Sequence, residues 1–270
     1  MGTEKPIEIT VIKLNSILLF KRYALYSIIS LFTFGGLKRR IKSLRYKLIN
    51  TKFSCIFSLG DRCATAQILN RTNLRTYSSP FDWIIGGSLC LRIDLIISRF
   101  FGFLRRENLI IRNEIDNHGK FRVDDLKYGF RFLHDFPSPD IDLSYQIVFE
   151  KYQRRIQRIY DKSYQGNVLV CYIETCSDCI DSTQILINKI KYLKNALQAK
   201  HLTIFYCHAR KAKDNEQNHS RNLKKYALSD NAGTIYKLNI NLDKDYSSTP
   251  LPKEITKTIF KSLYHILENN

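Results

Sequence analysis

The residues most able to do chemistry gather around one short segment. Phe57-Ser58-Leu59-Gly60-Asp61-Arg62-Cys63 ends an apolar run in a tight loop and puts a thiol where helical spacing begins. The start of a helix offers free N–H groups and the positive end of its dipole, which favours thiolate over thiol. Arg62 adds a cation beside it. A nucleophilic cysteine needs a base, usually histidine, brought near by the fold. His134, which closes an alternating aromatic stretch before Pro137, is the candidate. Asp82, in the turn Pro80-Phe81-Asp82-Trp83, is the candidate orienting acid, because a turn can aim its carboxylate inward. Capping the turn's own N–H groups is an equally good use of it. Gly60, Asp61, Arg62 and Trp83 complete the candidate substrate-binding set. The competing readings are structural: Cys63 as a small packing residue, Asp61 as a helix cap, Trp83 as core.

Three further patterns are weaker. Cys176-Ser177-Asp178-Cys179 is a lone CxxC without the second Cys or His pair that a zinc site wants, so no metal site is assigned. Asp140-Ile141-Asp142 has the form of a nucleotide-sugar metal motif, a triplet that chance often supplies. Arg154 and Arg155 could hold a phosphate, although adjacent residues on a helix diverge. No cofactor is expected.

These residues need a scaffold, and the pattern of the chain predicts one. Phe53–Ser58, Val168–Ile173, Leu202–Cys207 and Thr234–Leu238 read as buried strands. Between and around them, Cys63–Asn70, Leu89–Leu104, Ser144–Tyr160, Gln184–Lys200 and Pro252–Glu268 read as helices. Tyr128–Asp135 alternates like a further strand, with Tyr128, Phe130, Phe132 and His134 on one face. Strands separated by helices favour an α/β fold with a central, mostly parallel sheet flanked by helices. The expected organisation is a single α/β domain over residues 53–270 behind a basic amphipathic N-terminal arm over 1–52.

Charge sets the arm apart. The chain has 43 Lys and Arg against 25 Asp and Glu, a formal +18, and the first 52 residues hold eleven of the basic residues and only two acids. The longest uncharged run there, Tyr23–Leu37, is shorter than the ~20 residues that normally span a bilayer. Leu37, Ile41, Leu44 and Leu48 recur at helical spacing among cationic residues, a pattern suited to lying on an anionic leaflet. Peripheral membrane contact through residues 11–48 is one expectation, and two ordinary docked helices are the other. Seven cysteines, an odd number, with no secretory leader pattern, suggest reduced thiols in a cytoplasm. The partner expected from charge is an anionic or membrane-associated substrate. Nucleic acid ranks last, because no recognition motif accompanies the charge.

Ser58-Leu59-Gly60-Asp61-Arg62-Cys63-Ala64-Thr65-Ala66, Leu74-Arg75, Ser79-Pro80-Phe81-Asp82-Trp83, His134-Asp135-Phe136 and Tyr152-Gln153-Arg154-Arg155-Ile156 together resemble the bacterial papain-like cysteine peptidase family, a domain of unknown function with SLGxxC and PFDW motifs. The similarity spans about residues 53–175. It implies Cys63 as nucleophile and His134 as base, and a papain-like α+β core as the alternative to the parallel sheet. The function that follows is a cysteine-dependent hydrolase or acyl-transfer enzyme. The alternative from a different class of chemistry is a sugar-modifying or glycosyl-transfer enzyme of surface-polysaccharide assembly.

Overall fold

The computed structural model describes residues 52–60, 62–175, 182–211, 223–228, 232–242 and 251–269. The expected arm, apart from Lys52, lies outside these residues, as do Asp61 and both cysteines of the CxxC.

A five-stranded sheet forms the centre, in the order β1 (Cys55–Ser58), β6 (Asn167–Glu174), β7 (His201–Lys211), β9 (Thr234–Leu242) and β8 (Leu223–Ala227). The first four strands are parallel and β8 returns antiparallel at the edge. The parallel strands are apolar along their length because both faces are covered. On one face Val168, Val170 and Tyr172 of β6 pack with residues of α3 (Asp142–Ser163) and α4 (Thr183–Leu197). On the other, Leu169, Cys171 and Ile173 meet α1 (Cys63–Arg71) and α5 (Lys253–Asn269). Alternation along one strand thus feeds two cores. The mostly parallel α/β sheet is the one the apolar runs predict.

Between α1 and α3 the chain builds a second, antiparallel sheet in the order β2 (Ile84–Ile85), β5 (Phe130–Phe136), β4 (Phe121–Asp125) and β3 (Leu109–Ile115), with α2 (Leu89–Ile97) crossing beside it. Phe81, Phe100, Phe103, Phe130, Phe132 and Tyr152 join it to the main core through ring contacts of 5.3–6.2 Å. Two expectations change here. The helix expected over Leu89–Leu104 ends at Ile97, and the next residues form a loop in which Arg99, Phe100, Gly102 and Leu104 all have positive φ. The apolar residues that suggested a longer helix instead plug the core from that loop. The single face expected for Tyr128, Phe130, Phe132 and His134 is also interrupted. Val123 pairs with Phe132 but Phe121 pairs with Phe136, so β5 carries a bulge that turns His134 outward while Phe132 and Phe136 stay buried.

Candidate functional site

Cys63 is the first residue of α1, just beyond the carboxyl end of β1, where α/β sheets place their ligands. The preceding loop is tightly specified. Leu59 N–H extends the sheet by donating to Cys171 O, Gly60 N–H donates to Ser58 Oγ, and Ile173 N–H donates to Thr65 Oγ1, pinning the first turn of α1 to β6. Gly60 has φ +74°, and a Cβ there would lie 2.5 Å from Phe81 O and 2.7 Å from a guanidinium nitrogen of Arg92. Only glycine fits that position. The N-cap residue, Arg62, has extended backbone and makes no side-chain cap bond to the first turn of α1.

Arg92 is the hub behind this loop. Its side chain is fully buried between the rings of Phe81 and Phe130, 5.5 and 5.3 Å from their centroids. It donates to Leu59 O at 2.7 Å and Gly86 O at 2.5 Å, with longer bonds to Ile84 O and Gly87 O. One guanidinium therefore ties the loop before Cys63 to the turn after Trp83 and to β5. Its signal in the sequence is an arginine inside the apolar run Leu89-Cys90-Leu91-Arg92-Ile93, which periodicity alone does not single out.

Asp82 is buried beside Cys63. Its Oδ2 accepts from Ser79 N–H and Arg75 Nε, both at 2.9 Å, and Ser79 Oγ donates to Ser58 O. Arg75 lies over the indole of Trp83, 5.5 Å from its centroid. Burial pushes the Asp82 carboxyl above its ordinary value, against the lowering by Arg75. The Asp82 bonds therefore hold the PFDW turn and Arg75.

His134 finds a different acid. Its Nδ1 is 2.7 Å from Asp116 Oδ2, in the turn joining β3 to β4, while Asp116 Oδ1 accepts from the N–H groups of His118 and Lys120. Nothing in the spacing pointed to Asp116, because the pairing depends on the bulge in β5. The imidazole, first among several causes, holds Asp116 at about 2. A folded-state value below the unfolded ~3.9 means that Asp116 favours the folded chain above that range, a contribution lost as pH falls towards 2. Carboxyl-carbon NMR is expected to show Asp116 titrating near 2 in the wild type and moving up towards the ordinary range in His134→Ala. An unmoved midpoint would mean that the pair does not form in solution.

The PFDW turn neighbours both candidate catalytic residues: Asp82 acts electrostatically on Cys63, and the Trp83 ring meets the His134 ring edge-on at 6.3 Å. No hydrogen bond joins Cys63 to His134 among the described residues. The thiol also departs from the expectation of an easily formed thiolate. Burial pushes it up most, Asp82 adds to that, and the Cys63 amide and Arg62 offset it only in part. The half-buried setting thus opposes the dipole of α1.

Elsewhere, Asp140 Oδ1 accepts from Asp142 N–H and the Asp142 carboxylate pairs with Arg106 at 2.5 Å, so the acidic triplet organises the start of α3. Arg154 sits 4.0 Å from Glu150 on an exposed face. Among the described residues no group of three His, Cys, Asp or Glu could hold a metal ion, and no helix is long and apolar enough to cross a membrane.

One cluster escaped the sequence reading entirely. At the carboxyl ends of β6 and β7, buried Glu174 accepts from Tyr206 OH at 2.6 Å and lies 3.4 Å from His208 Nδ1. Tyr206 OH is also 2.7 Å from that Nδ1 and accepts from Ser182 N–H. A hydroxyl has one proton to give, so with Tyr206 donating to Glu174 the hydrogen on the imidazole is at Nδ1. The signal was a glutamate and a histidine each directly following an apolar run, Val168–Ile173 and Leu202–Cys207.

An uncharacterized protein of Acanthamoeba polyphaga mimivirus is 30% identical over 129 residues, 42% of this chain, and the chain spans 58% of that relative's length. No solved structure matches. Residues 54–207, which include Cys63, the PFDW turn, the Asp116–His134 pair and Glu174, match the family described as Putative papain-like cysteine peptidase (DUF1796), and the chain belongs to that family.

Proposed function

We propose that the chain is a cysteine-dependent hydrolase or acyl-transfer enzyme in which Cys63 is the nucleophile and His134, oriented by Asp116, is the base. The observation that carries this reading is the position of Cys63, at the start of α1 beyond the carboxyl end of β1, beside a PFDW turn whose Asp82 acts on the thiol and whose Trp83 touches a histidine held by a carboxylate. Cys63 Sγ attacks a carbonyl carbon while His134 Nε2 takes the thiol proton. The first amides of α1 stabilise the oxyanion. The proton then passes to the leaving group, and water or another acceptor releases the acyl group from sulfur. Because burial and Asp82 keep the proton on the thiol at rest, His134 acts as a general base during attack, not as half of a standing ion pair. Catalytic hydrogen bonds often close only once substrate is bound. The basic composition supports an anionic or membrane-associated substrate.

The test uses p-nitrophenyl acetate as acyl donor, with the modified residue located by mass spectrometry. Acylation is expected at Cys63, slowed about 10²–10⁴-fold in His134→Ala and absent in Cys63→Ala. Equal acylation of the other cysteines, or an unchanged rate in His134→Ala, would remove the reading. A second measurement checks the resting state. Iodoacetamide labelling of Cys63 is expected to have its pH midpoint above the ordinary thiol range, and a midpoint below that range would show a preformed thiolate instead.

A further inference from the structure

We infer that the loop between α2 and β3, together with the β4–β5 turn, forms a docking tip for an anionic lipid surface. This inference is independent of the peptidase reading.

The loop is built to display one aromatic ring. Phe100, Phe103 and Leu104 are buried, yet Phe101 is 71% exposed. Positive φ at Arg99 (54°), Phe100 (57°) and Leu104 (57°), each a non-glycine residue, makes this alternation possible. Such backbone persists only where surrounding structure enforces it. Here the enforcement is visible: Phe100 packs on Phe81, Phe103 on Phe130, and Tyr128 OH donates to Phe101 O at 2.8 Å.

A second exposed apolar residue lies on a segment tied to this loop. Leu126, 57% exposed, donates its N–H to Asn108 O. Large apolar groups in water are ordinary when scattered, but concentrated at one place they mark a surface that docks on something.

The charges choose the partner. The Arg105 guanidinium lies 5.6 Å from the Phe101 centroid, and Lys127 Nζ lies 5.2 Å from the Tyr128 centroid. The exposed carboxylates nearby, Glu107 and Asp142, pair with Arg105 and Arg106, whereas Lys127 makes no ion pair with a described carboxylate. An exposed aromatic ring, a half-buried tyrosine and long cationic side chains are the chemistry of the headgroup–acyl boundary, where rings and side-chain stems enter the apolar layer and charges reach anionic headgroups. A strand of nucleic acid would match the cations but not Leu126.

The full chain carrying Phe101→Trp, compared with the wild type to subtract Trp83, is mixed with vesicles of phosphatidylglycerol and brominated phosphatidylcholine. The added tryptophan is expected to shift to the blue and to be quenched by the brominated lipid, with little response to purely zwitterionic vesicles. The double variant Arg105→Gln, Lys127→Gln is expected to weaken vesicle binding about tenfold or more, since each cation near an anionic surface contributes ~1 kcal/mol. If the chain floats with the vesicles while the residue-101 tryptophan stays unquenched, binding runs through the basic arm and the inference fails. It fails equally if no vesicle binds, if zwitterionic vesicles give the same response, or if only a single-stranded oligonucleotide perturbs the fluorescence.

Discussion

Replacing Arg92 with methionine is expected to lower stability by about 3–5 kcal/mol, the range for groups left unpaired in a protein interior. Methionine fills much of the same space between Phe81 and Phe130, so the volume lost is small. What disappears is the donor set. Leu59 O and Gly86 O lose short bonds, and Ile84 O and Gly87 O lose longer ones. Buried carbonyls without donors each cost on the order of 1–3 kcal/mol. In a domain of this size the change corresponds to a melting temperature lower by roughly 10 °C. Arg92→Lys retains the charge but reaches these carbonyls from a single nitrogen, so it is expected to restore only part of the loss. Cys63 supplies a second readout. With Leu59 released, the loop before Cys63 loosens and iodoacetamide should label the thiol faster at a fixed pH, even well below the melting point. A variant within about 1 kcal/mol of wild type, with unchanged Cys63 labelling, would show that Arg92 is not the hub described.

The second large effect is expected at the other polar cluster. Glu174→Ala should cost about 3–5 kcal/mol, as when one partner of a buried pair is removed. Tyr206 OH would lose its acceptor and His208 its neighbouring carboxylate, both in the interior. Glu174→Gln keeps the shape and one carbonyl acceptor for Tyr206, and is expected to cost about 1–2 kcal/mol. The ordering of the two variants is the discriminating result. Equal losses would mean that the carboxylate serves only as filling. Denaturant unfolding measures both, provided the slope of the transition is the same in all three proteins.

What could be read from the sequence follows from how strongly burial writes itself into residue choice. Cys55–Ser58, Val168–Ile173 and Leu202–Cys207 are covered on both faces, so they appear as continuous apolar runs that only a buried strand explains. α3 shows its buried stripe through Val148, Tyr152, Ile156 and Ile159 at helical spacing. By contrast β3 and β4 read Leu-Ile-Ile-Arg-Asn-Glu-Ile and Phe-Arg-Val-Asp-Asp, with Arg112, Arg122 and Asp124 joined by salt bridges. One face of that sheet is largely in water, and its charged residues pair across strands, a relation that no single stretch reveals. β8 was hidden for a related reason, since an edge strand carrying Lys224 and Lys225 resembles a loop.

The candidate site divides the same way. The position of Cys63 at the start of a helix after a strand was legible, because strand, glycine loop and helix are adjacent in the chain. His134 and its acid were only half legible. The bulge that turns His134 outward and the turn that delivers Asp116 come from pairing between β3, β4 and β5, and sequence spacing does not encode register. Glu174 and His208 ended runs that were read for their apolar content, so the two polar residues went unremarked.

The ladder that β1 makes with β6 has a consequence for how the chain reaches this structure. Ile56 pairs with Leu169 and Ser58 with Cys171, so the strand that leads to Cys63 meets its partner only after more than a hundred further residues. At typical synthesis rates of ~5–20 residues per second, β1 leaves the ribosome and waits on the order of 5–20 seconds before β6 exists. The antiparallel insertion, made of near neighbours, can form in that interval, whereas the parallel sheet must close its longest loop last. Until then Cys55, Ile56 and Phe57 are an exposed apolar strand, and a nascent chain stalled before residue 171 is the species most prone to aggregate or to need a chaperone.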